Sequence, residues 1–131
     1  MTVWNLALDI VELVYVFSAG MPREDVGGLV SQMRRAAVAI PTHLAEGHSS
    51  GSMLAYLRHI RQARSAMAEV ETHILIAERL GWCTEEITSE ILGPMERLRE
   101  LNQGLERYMI KRLQEEQAPS PPPSSPSLKS S

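Results

Sequence analysis

Cysteine is nearly missing from this chain, with Cys83 alone among 131 residues. No intrachain disulfide framework can form, and a reducing cytoplasm is the simplest home. Excess positive charge is missing too. The formal net charge of −3 argues against a general electrostatic grip on nucleic acid and leaves only a local patch as a phosphate site. No segment alternates apolar and polar residues with the period of a strand, so the fold is expected to be all-α. There is no His-Glu-x-x-His zinc motif, no glycine-rich phosphate loop and no nucleophile elbow, so no enzyme is expected. A ferritin-like metal centre needs Glu-x-x-His on two helices. Here Glu69 precedes His73 by four residues, and Glu46 and His48 are two apart across an expected helix end. His43, His48, His59 and His73 therefore read as surface or edge residues, with no metal or cofactor expected. The first residues, 3 to 17, are apolar but lack a basic leader and carry Asp9 and Glu12. Neither a signal peptide nor a membrane span is expected.

What is present is 44% apolar residues, enough for one domain with a core. The reading divides the chain into a helical domain over 1–117 and a Pro/Ser-rich tail over 118–131. The tail holds almost no apolar residues to offset its ordering entropy, so disorder is expected, with a proline-recognition ligand as a minor alternative.

Helix one is expected from about Val3 to Ser18, before Gly20-Met21-Pro22. Its polar residues Asn5, Asp9 and Glu12 share one narrow stripe and the rest is apolar. A bundle helix usually buries one face, so this one is expected to pack on another subunit as well, through Trp4, Leu8, Val11 and Tyr15. Helix two is expected from near Asp25, after Pro22 and Glu24, with a core stripe of Val26, Leu29, Met33, Ala37, Ile40 and Leu44. Gly47 would stop it in the left-handed conformation. Pro41 either opens a new helix in its first turn or sits inside a kinked helix held by tertiary packing, at a cost of roughly 3 kcal/mol.

Ser52 reads as the cap of helix three, which runs from about Met53 to Leu80 with two apolar stripes. Ile60, Ala63, Met67, Val70 and Ile74 form one. Leu57, Ala68 and Leu75 form the other, with Arg64 beside them needing a carboxylate, for which Glu71 is the intrahelical candidate. Leu57, Arg64 and Leu75 are assigned to a subunit interface. Thr84 is expected to cap helix four, whose stripe of Ile87, Ile91, Met95, Leu98, Leu101, Leu105, Tyr108 and Leu113 keeps its phase across Gly93-Pro94. A kink is favoured there over a break.

Charge is uneven. From Ser31 to Met67 there are five arginines, Arg34, Arg35, Arg58, Arg61 and Arg64, against the single acid Glu46. If helices two and three form an antiparallel hairpin, Arg34, Arg35, Arg58 and Arg61 make an elongated basic strip, a candidate nucleic-acid site. The alternative is that these arginines pair with acids of helices one and four, or of a neighbouring subunit.

The segment Ser31 to Gly47, SQMRRAAVAIPTHLAEG, resembles a signature of the four-helix-bundle proteins encoded by intervening sequences in bacterial large-subunit ribosomal RNA genes. Ser31, Gln32, Arg34, Arg35, Ala36, Ala37, Ile40, Pro41, Ala45, Glu46 and Gly47 fit it. A second signature is similar to Ala68-Glu69-Val70-Glu71-Thr72 followed by Leu75-Ile76-Ala77 and Leu80-Gly81. The resemblance implies an up-down-up-down four-helix bundle assembling as a homo-oligomer, a pentameric barrel in relatives. It also implies a non-catalytic accessory protein that binds RNA and partners a reverse transcriptase of a diversity-generating retroelement. The competing expectation is an oligomeric interaction scaffold with no nucleic-acid role.

Overall fold

The computed structural model describes residues 2–22 and 28–117. Four helices account for nearly all of them: α1 (Thr2–Ala19), α2 (Leu29–His48), α3 (Met53–Arg79) and α4 (Glu85–Gln117). The expected start of helix two near Asp25, with Glu24 and Val26, lies outside the described residues, as does the tail over 118–131. Within them α2 begins after Gly28, an extended residue that offers no side-chain cap.

Each helix buries one line of residues at spacings of three and four. In α1 the line is Val3, Ala7, Ile10, Val14 and Ser18. In α3 it runs from Leu57 through Ile60, Ala63, Met67, Val70 and Ile74 to Ala77. Each helix packs against its neighbours in sequence and α4 closes against α1, while the backbones of the diagonal pairs do not come close among the described residues. This packing order makes an up-down arrangement. The start of α1 meets His48, Tyr56 and Leu105 around one open groove, so one end of the bundle gathers the start of α1, the end of α2 and the start of α3.

The turns follow local chemistry. Ser52 accepts a hydrogen bond from the Ala55 N–H at 3.2 Å, and Thr84 does the same for Ile87 at 3.2 Å. At the end of α3, Gly81 takes φ of 78°, while the Trp82 N–H bonds the Ala77 carbonyl and the Gly81 N–H bonds that of Glu78. That pair of bonds is a Schellman stop, for which glycine is the residue without a Cβ penalty.

Both internal prolines sit inside unbroken helices, Pro41 in α2 and Pro94 in α4. Pro41 is buried in the company of Ala37, Ile40 and Leu44, so packing offsets its lost hydrogen bond. The expectation for Gly47 is corrected. It lies within α2, buried, and the positive φ of this turn belongs to Gly51, at 74°. A Cβ at Gly47 would stand 2.9 Å from the Cβ of His59 and 2.9 Å from Cδ1 of Tyr56. Glycine is needed there because α3 comes so close.

The α4 stripe also shifts. Ile87 and Tyr108 are exposed, and the buried line is Thr88, Ile91, Met95, Leu98, Asn102, Glu106 and Met109. Two polar residues occupy core positions where Leu101 and Leu105 were expected, and both bond to α3: the Asn102 amide N–H donates to the Ile60 carbonyl at 3.1 Å while its Oδ1 has no partner among the described residues, and Glu106 accepts from two arginines.

Candidate functional site

The five arginines do not form one free strip. Arg61 Nε donates to Glu106 at 3.0 Å and Arg64 Nη1 to its other oxygen at 2.8 Å. The Glu106 carboxylate is 11% exposed, so two cations answer one nearly buried anion. Glu71, the expected partner of Arg64, is paired with Arg99 of α4 instead. The cause is register: α3 and α4 run antiparallel, and Glu106 lies across from Arg61 and Arg64. Arg34 lies over the Tyr15 ring at 4.6 Å and donates to Ser18 Oγ at 2.8 Å and to the Tyr15 carbonyl at 3.3 Å, tying α2 to α1. Arg35 and Arg58 are exposed and have no ion-pair partner among the described residues. Since His43 faces His59 across the hairpin, Arg35 and Arg58 stand about 14 Å apart along it at 1.5 Å per helical residue. One phosphate cannot reach both.

The expected interface residues divide as well. Leu57 is buried within the chain beside Ile60 and Met109, and Arg64 is held by Glu106, so neither is free to meet another subunit through its expected contacts. Trp4 and Val11 are half-buried on the chain's own core. Leu8 is half-buried, while Tyr15 and Leu75 are exposed. The sequence reading missed Leu13, Val16, Ile76 and Leu80, all exposed, with Val16 at 77%. These cluster toward the ends of α1 and α3, at one end of the bundle. By length and composition alone, Thr2–Ala19 is also apolar enough to cross a membrane, with mean hydropathy 1.4.

At the opposite end, three side chains judged separate in the sequence converge. His43 Nδ1 lies 3.3 Å from His59 Nδ1, and Glu46 Oε1 is 3.6 Å from the first and 3.8 Å from the second. His43 and Glu46 come from one face of α2, three residues apart, and His59 from α3. The signal was in the chain: His43 and His59 lie eight residues on either side of Gly51, so a hairpin turning there sets them opposite each other. His48 stays outside the group, edge-on to Tyr56 at 6.0 Å. Burial raises the Tyr56 hydroxyl above the ordinary tyrosine range. Burial also lowers His73 below the ordinary histidine range, with Glu69 pulling the other way, and leaves its Nδ1 without a hydrogen bond.

No curated protein matches the chain. The family model for the 23S rRNA-intervening sequence protein matches residues 1–104, which takes in α1, α2, α3 and the larger part of α4. With the match spanning most of the chain and four helices as the resemblance implied, the chain belongs to the 23S rRNA-intervening sequence protein family.

Proposed function

We propose that this protein is a non-catalytic, RNA-binding accessory protein that acts as a homo-oligomeric ring. The observation that carries the reading is the pair of uncovered apolar patches, Leu13 and Val16 on α1, and Leu75 and Ile76 on α3 with Leu80 just past its end. Because α1 and α3 occupy diagonal corners, the patches face away from each other. A contact between one patch and the other is head-to-tail, and head-to-tail contacts close into rings when the rotation permits. Five copies is the number that family resemblance implies. The ring repeats Arg35 and Arg58 around its wall, so sites too weak singly act together. A reverse transcriptase of a diversity-generating retroelement is the protein partner the resemblance implies, and the cytoplasm is the compartment that one cysteine suits.

The test is binding of a structured RNA at physiological salt. Affinity should fall as salt rises and drop when Arg35 and Arg58 become alanine, with Arg61→Ala changing stability rather than RNA affinity. A specific observation favours a second reading. Glu106 already neutralises Arg61 and Arg64, which leaves few free cations on the expected α2–α3 strip and suits an oligomeric scaffold for protein partners. Absence of RNA binding by a well-formed oligomer would leave that reading.

A further inference from the structure

We propose that His43, Glu46 and His59 form a divalent metal site of the zinc class, pinning α2 to α3 beside their turn. The three donor atoms lie within 4.8 Å of one another, with separations of 3.3, 3.6 and 3.8 Å. A tetrahedral ion with bonds of about 2.0–2.1 Å sets its ligands about 3.3–3.5 Å apart. An octahedral ion with similar bonds brings adjacent ligands to about 3.0 Å. The observed triangle is on the long side of both and nearer the tetrahedral one. Two imidazoles and a carboxylate are also the ligand types of borderline ions, above all Zn2+.

Hydrogen bonding accounts poorly for the same arrangement. The two Nδ1 atoms face each other, so one proton at most can bridge them, and a gap of 3.3 Å is long for such a bond. Glu46 is farther still, beyond hydrogen-bond reach of either ring. A cation between the three atoms satisfies all of them together. Gly47 supplies an independent reason that the trio is held. The contact of 2.9 Å between a Cβ there and the His59 Cβ means that only glycine lets α3 bring His59 this near to His43. The site is partly open: His43 is 27% exposed, His59 28% and Glu46 55%. The fourth vertex of the tetrahedron therefore belongs to water or to an incoming ligand.

Tag-free protein, stripped with chelator, is titrated with Zn2+ by calorimetry and with Co2+ by visible absorption. The expected result is one ion per chain, a rise in melting temperature on adding Zn2+, and the intense d–d bands of tetrahedral Co2+. His43→Ala and His59→Ala should each weaken binding by about 100-fold or more, since even partners outside the ligand shell are worth about 10–100-fold. Glu46→Gln should weaken it less, and His48→Ala should leave it unchanged. Helix content by circular dichroism separates a lost ligand from a lost fold. No Zn2+ uptake at millimolar metal by the folded wild type overturns the proposal, and so does uptake that survives both histidine substitutions. Neither result bears on RNA binding, so this site and the proposed function fail separately.

Discussion

Helices α1 and α3 both carry apolar residues on more than one side, yet the chain treats them differently. On α3 the extra flank is largely consumed internally. Leu57 is buried with Met109, Arg61 and Arg64 close on Glu106, and Asn102 bonds the Ile60 carbonyl. Leu54 in the first turn, and Leu75 and Ile76 near the end with Leu80 just past it, remain uncovered. On α1 one line is buried, while Leu13, Tyr15 and Val16 stay exposed along the half that leads to Ala19. A polar group placed across from an excess flank can absorb it within one chain. An apolar flank with nothing opposite has only another molecule to meet.

If that contrast is right, damage on the α3 side is read as stability, and damage on the α1 side as assembly. The largest stability effect is expected from Arg61→Ala with Arg64→Ala, which leaves Glu106 nearly buried and unpaired. A loss of about 3 kcal/mol, by urea denaturation, is expected. Glu106→Gln should cost less, because both arginines are half exposed and water can replace their partner. An equal loss from both variants would break the asymmetry. Next comes Gly47→Ala. Forcing a Cβ against His59 and Tyr56 is expected to cost about 1–3 kcal/mol, although alanine is the better helix former. A gain in stability would mean that the close approach is not tight.

Val16→Arg should sharpen the comparison from the other side. Val16 is 77% exposed, so helix content should be unchanged and the unfolding free energy of the isolated chain should move by less than about 0.5 kcal/mol. Sedimentation should nevertheless show dissociation. The smallest effect concerns acid. With its folded value lowered, His73 takes up a proton more readily in the unfolded chain, so its contribution is complete above the ordinary histidine range. That contribution is lost as pH falls below about 6.5 and through the lowered folded value. His73→Leu should flatten that acid limb in thermal melts, and it also removes a ring nitrogen that has no partner.

Helix existence and most of the capping were legible because they are local. Ser52, Thr84 and the apolar periods of α1 and α3 depend only on neighbours in sequence. What sequence hid was pairing between helices. Gly47 resembles a terminator by its position before a polar loop, and only the nearness of Tyr56 and His59 reveals it as a packing glycine. Glu71 sits on the same helix as Arg64, so local reasoning joined them. The register of α3 against α4 gave Arg64 to Glu106 and Glu71 to Arg99. The same register puts Asn102 and Glu106 at core positions that hydrophobicity alone would never choose. The histidine pair is an intermediate case, since symmetry about Gly51 was readable once the hairpin was granted.

Analytical ultracentrifugation of the unaltered protein at micromolar concentration tests the central claim most directly. The account predicts a single assembly of several copies that Val16→Arg reduces to monomer without loss of helix. A stable, monodisperse monomer at the same concentration would contradict it.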